Sequence, residues 1–81
     1  MRKSIHSAGQ GHLQTLLRSL REKRELTQTE VATRLGRPQS FVAKYEAGER
    51  RLDVIEFLEV AKAIEADPIR LIRSIRAKTG T

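Results

Sequence analysis

Gln39, Ser40, Ala43 and Lys44 fall at one-, three- and four-residue spacings, so a helix through them would carry all four on one face. Their chemistry suits the base edges of a major groove. Glutamine can pair two hydrogen bonds with adenine, and lysine can donate to guanine O6 and N7. Alanine can touch a thymine methyl, and serine is permissive. No acidic residue interrupts the set, so nothing on it would repel phosphates. Catalytic chemistry is not expected, because a nucleophile–base set, a glycine-rich phosphate loop and a metal cluster are all missing from the sequence. His6 and His12 have no ligand partners at useful spacing, and neither a metal nor a cofactor is expected.

Such a face must be held outward by a helix packed on its other side. Pro38 stands at or next to the first position of that helix, where a missing N–H costs nothing. Val42 and Tyr45 would point inward, and Ala47-Gly48 would end it. Ahead of it, Thr27 and Glu30 form a capping box that opens a helix with Val31, Ala32 and Leu35 as its buried stripe. Gly36 closes that helix with the left-handed conformation a tight turn needs. Ala32 is small enough to let the two helices approach closely.

The flanking segments are helical as well. Leu13, Leu16, Leu17 and Leu20 recur at three- and four-residue steps from His12 to about Arg24. Asp53 and Glu56 pair as caps before a fourth helix whose apolar residues are Val54, Phe57, Leu58, Ala61 and Ile64. Asp67-Pro68 opens a fifth, where Ile69, Ile72 and Ile75 repeat every three residues. Period-two alternation is nowhere long enough for a strand. The expected fold is an all-α, compact five-helix domain over residues 12–76, after a flexible basic arm at 1–11 and before a tail at 77–81.

The chain has 81 residues, which is one small domain, and no cysteine, which excludes disulfides and thiolate metal sites. Sixteen Lys plus Arg against 10 Asp plus Glu give a net charge of +6, compatible with a polyanionic partner. No apolar run is long enough to span a membrane and none follows the basic start, so a cytoplasmic location is expected. Two helices around Gly36, with a basic balance, match a helix-turn-helix that binds DNA. The same pattern would also serve core helices with a solvated polar face.

The run Leu26-Thr27-Gln28-Thr29-Glu30-Val31-Ala32-Thr33-Arg34-Leu35-Gly36 resembles the opening of the XRE-type, phage repressor and Cro-like helix-turn-helix regulators. Gln39 to Gly48 resembles their recognition helix and Leu58 to Ile64 their fourth helix, so the likeness covers roughly residues 13–73. It implies a lambda-repressor-like domain that regulates transcription, as a repressor, by binding double-stranded DNA as a homodimer on an inverted repeat. In that family frame Gln28, Arg50 and Arg51 would contact phosphates. Gln39, Ser40, Ala43 and Lys44 would read bases. Arg21 and Glu46 would form a partly buried ion pair that orients the reading helix. Three positions depart from the pattern. Pro38 replaces a capping Ser or Thr, Glu49 would lie near phosphates, and Ala47 stands where a polar residue is frequent.

Two other roles suit the same fold: an antitoxin that binds both an operator and a toxin protein, and an interaction module that does not bind DNA. Ile55, Val60, Leu71 and Ile75 exceed what one small core needs, and some are expected at a subunit interface. Arg70, Arg73 and Arg76 line up along the last helix, either as a solvated face opposite the isoleucines or as a second electrostatic contact to DNA. Phe41 and Tyr45 are expected to pack rather than to stack on bases.

Overall fold

The computed structural model describes residues 7–80. Five helices follow in order: α1 (Ala8–Lys23), α2 (Gln28–Leu35), α3 (Gln39–Ala47), α4 (Val54–Ala63) and α5 (Pro68–Thr79). Side-chain caps start four of them. The Ser7 hydroxyl accepts from the Gln10 N–H, and Asp67 accepts from the Ile69 N–H ahead of Pro68. Thr27 with Glu30 and Asp53 with Glu56 close complete capping boxes on α2 and α4. Each cap satisfies backbone donors that the helix itself leaves open.

Leu17, Val31, Ala32, Val42, Tyr45, Val60, Ala61, Ile64 and Leu71 form the core, with Phe41 and Phe57 at its margin. α1 packs on α5 and α3, while α2 packs on α3 and α4. Helix α3 therefore rests on two elements whose own caps are intact. Among the described residues every buried side-chain polar atom has a partner, as a well-ordered interior requires.

Both ends of the domain differ from expectation. Helix α1 begins at Ala8, inside the arm placed at residues 1–11; the arm's residues 1–6 lie outside the described residues. The Ser7 cap and the α5 contact extend the helix: a Cβ on Gly9 would collide with Thr79 Cγ2. Helix α5 likewise runs through Thr79, so most of the tail placed at 77–81 is helical. Arg76 and Lys78 in its last turn complement the negative end of the helix dipole.

The apolar residues of α4 and α5 also divide differently. Val60 and Leu71 are buried in the core and are not available to an interface. Val54, Leu58, Ile69 and Ile72 join Ile55 on the surface, with exposures from 43% to 72%. Ile75 is half-buried against the core.

Candidate nucleic-acid interface

Gly36 holds the left-handed conformation at φ 69° and ψ 31°, and its N–H reaches back to Ala32 and Thr33. The next N–H, of Arg37, bonds the Ala32 carbonyl at 3.0 Å. This closes α2 and sends the chain through extended Pro38 into α3. Pro38 gives no side-chain cap, as its residue type dictates. Phe41, Val42 and Tyr45 bury the inner side of α3. Phe41 and Tyr45 meet edge to face at 5.4 Å between ring centroids, a favoured aromatic packing.

The opposite side carries the expected set. Gln39, Ser40 and Lys44 are exposed, and Ala43 is half-buried between them. Ala47 is exposed at the C-terminal end of α3. Glu49 is exposed too, with its N–H bonded to the Lys44 carbonyl.

A polar chain fixes one end of this face. Arg21 donates to Glu46 through Nε at 2.7 Å and Nη2 at 3.1 Å, and through Nη1 to the Leu26 carbonyl at 2.7 Å. Gln28 Nε2 donates to Glu46 Oε1 at 3.0 Å, and Gln39 Nε2 donates to Gln28 Oε1 at 2.7 Å. The ionised Glu46 can only accept. It therefore dictates which way both amides face. Gln28 must turn its nitrogen to Glu46 and its oxygen to Gln39. Gln39 in turn keeps its oxygen and one N–H directed away from the chain.

A second cluster gathers behind Phe41. The guanidinium groups of Arg37 and Arg50 lie over its ring, at 4.4 and 4.9 Å from the centroid. Arg50 grips Glu56 with Nη1 at 2.9 Å and Nη2 at 2.8 Å, and Nη1 also bonds the Arg51 carbonyl. Arg37 Nη2 reaches the same carboxylate at 3.3 Å. The Arg50 hydrogen bonds and the Asp53 N–H pull the Glu56 carboxyl down to about 2, with Arg50 the larger influence. Arg50 is thus already engaged within the protein, which the sequence reading of this residue did not include. Arg37 and Glu56 were missed as partners, because their 19-residue separation follows no local period. Arg51 is exposed on the same loop.

Arg70, Arg73 and Arg76 are exposed along α5, a helix packed mainly on α1 and α4. His12 Nε2 lies 2.7 Å from Ser74 Oγ and ties α1 to α5. Among the described residues no helix is long and apolar enough to cross a membrane.

A helix-turn-helix domain family model matches residues 12–78. An XRE-family like protein from Pseudomonas syringae pv. tomato str. DC3000 has a similar structure, with a TM-score of 0.84 and 49% identity, covering 90% of this chain and 89% of that one. The restriction-modification controller protein C.AhdI from Aeromonas hydrophila is similar at a TM-score of 0.73 and 29% identity, over 80% of this chain and 98% of that one. The controller protein C.Esp1396I, solved as a tetramer on its natural 35 base-pair operator, shares the fold at a TM-score of 0.79 and 13% identity, over 94% of this chain and 100% of that one. No curated protein sequence matches the chain. With a glycine turn at Gly36, an outward polar face on α3 and a family match over nearly the whole length, the chain belongs to the helix-turn-helix domain family, among its XRE-type DNA-binding regulators.

Proposed function

We propose that this protein is a sequence-specific transcriptional regulator, a repressor, that binds an inverted-repeat operator in duplex DNA as a homodimer in the cytoplasm. The observation that carries this reading is the Gln28–Gln39 bond. Its polarity, dictated by Glu46, leaves Gln39 with one acceptor and one donor facing outward. Adenine presents the complementary pair in the major groove, a donor at N6 and an acceptor at N7. A glutamine held this way loses little freedom on binding, so its discrimination is not diluted by ordering.

Ser40, Ala43 and Lys44 extend the reading surface along α3. Lys44 suits a guanine, and half-buried Ala43 suits a thymine methyl. Gln28 is the first residue of α2, where its second amide N–H and the helix N-terminal amides favour a phosphate. Arg50 and Arg51 would serve the backbone on the far side of α3.

Val54 and Ile72 line one apolar groove, and Ile55, Leu58 and Ile69 are exposed on the same two helices, which supports a second copy. Contiguous exposed apolar surface is uncommon on monomers, and a two-fold dimer would pair identical surfaces and present two α3 helices to successive major grooves.

Selecting binding sites from random duplex DNA tests the whole reading. The expected result is an enriched palindrome with half-sites about one helical turn, roughly 34–36 Å, apart. An unpaired half-site would overturn the dimer, and no enriched site would overturn sequence-specific binding.

A further inference from the structure

Glu56 is buried at 8% exposure, yet it is not an inert core residue. Its Oε1 accepts from the Asp53 N–H at 3.0 Å and Arg50 Nη1 at 2.9 Å. Its Oε2 accepts from Arg50 Nη2 at 2.8 Å and Arg37 Nη2 at 3.3 Å. The two arginines stand at either end of the reading helix, one in the turn before it and one in the loop after it. Their side chains are 37% and 39% exposed, so solvent and a polyanion can still reach them.

We propose that Glu56 is a specificity-determining residue, a built-in competitor that keeps Arg50 and Arg37 off DNA phosphates until α3 is seated in register. The proposal rests on the duplex-binding reading above.

A carboxylate and a phosphate ask the same thing of a guanidinium, two parallel N–H bonds from its fork. Arg50 already gives that fork to Glu56. Phe41 lies beneath both guanidinium groups and favours their present positions by cation–π attraction. The low carboxyl value of Glu56 means that the competitor stays ionised at neutral pH.

Non-specific binding is a sum of fleeting phosphate contacts that release counterions. Two arginines held by an internal anion contribute little to that sum. On the operator, base contacts from α3 fix the register and hold one phosphate against the loop. Exchange of Arg50 from Glu56 to that phosphate then occurs within one complex, at high effective concentration. Glu56 thereby lowers background binding more than operator binding.

Glu56→Gln tests this. Glutamine can still accept the Asp53 N–H in the capping box, while its grip on the arginines loses the charge. Glu59→Gln, exposed on the same helix, makes the same change in net charge and serves as the control. Affinity is measured across a salt series on a mixed-sequence duplex and on the selected operator. Glu56→Gln is expected to bind the mixed-sequence duplex about three- to tenfold more tightly, with a salt slope steeper by about one to two units. Operator affinity should change less, so the ratio between the two falls. Glu59→Gln should leave the slope within about half a unit.

An unchanged or shallower slope for Glu56→Gln, or an equal change in Glu59→Gln, overturns the role of Glu56 alone. Wild-type protein that binds neither duplex overturns the DNA reading and the proposal with it. Should Glu56→Gln lose its helical circular dichroism, Arg50→Ala decides the matter. It should flatten the operator slope by about one unit and leave the mixed-sequence slope unchanged. Equal flattening on both duplexes overturns the proposal.

Discussion

Arg21 and Glu46 join α1 to the end of α3 through two near-parallel hydrogen bonds, with side chains only 11% and 4% exposed. The pair does more than link two helices. Its carboxylate also accepts from Gln28, which in turn orients Gln39. The hydrogen bond to Glu46 raises Arg21 above its ordinary value despite the opposing effect of burial.

Removing one partner strands a buried charge. Glu46→Ala should destabilise the domain by about 3 kcal/mol, read from the urea midpoint at constant m-value. A loss below about 1 kcal/mol would place the pair among ordinary surface ion pairs and remove the basis for its orienting role.

Alkaline titration isolates Tyr45, the one tyrosine in the sequence. Burial, with a smaller contribution from Glu46, raises its hydroxyl well above the ordinary value. Tyrosine in the unfolded chain ionises near pH 10, whereas in the folded protein it stays neutral there. The stabilising contribution is complete below about pH 10 and declines as pH rises beyond it. Tyrosinate absorbance should therefore appear together with loss of helical signal. A free titration near pH 10 in the folded protein would contradict the burial of this ring.

Much of the fold was legible because its signals are local. Thr27 with Glu30, Asp53 with Glu56 and Asp67 with Pro68 each announce a helix start within a few residues, and Gly36 announces the turn. The outward set on α3 followed from helical spacing in the same way. Ile69, Ile72 and Ile75 do not share one buried face, because a three-residue step falls short of a full turn. The row slides around α5, and Leu71 carries the core contact instead. The grip of Glu56 on Arg50 and Arg37 was illegible for a different reason: it depends on how α3, its loop and α4 pack together. At two helix ends no glycine marks the left-handed residue: Glu25 and Glu65 take that conformation at φ 58° where glycine is usual.

Those two glutamates close their helices with the same backbone bond. Each is followed by an N–H that closes the preceding helix, Leu26 to the Arg21 carbonyl and Ala66 to the Ala61 carbonyl. Glu65 also receives Arg24 on its carbonyl and pairs with Arg34, which leaves Glu25 as the simpler test. Glycine there would relieve about 1–2 kcal/mol of steric strain and add about 0.4–1 kcal/mol of unfolded-state entropy. Glu25→Gly should raise Tm by about 2–4 °C, a net gain near 0.5 kcal/mol. A lower Tm would mean that the left-handed glutamate is not strained.

Lys44 is the sharpest probe of the reading face. It is exposed on α3 and makes no side-chain hydrogen bond or ion pair among the described residues, so Lys44→Ala removes little besides a long cationic side chain. Fold stability should move by less than about 0.5 kcal/mol. Binding to the best site should weaken by about 1–3 kcal/mol, with relaxed preference at one base pair in each half-site. A phosphate-contacting lysine would behave differently, weakening all sequences alike and flattening the salt slope by about one unit. Repeating the site selection with the variant separates the two outcomes. Preference retained at every position would move Lys44 from the bases to the backbone and leave Gln39, Ser40 and Ala43 as the readers.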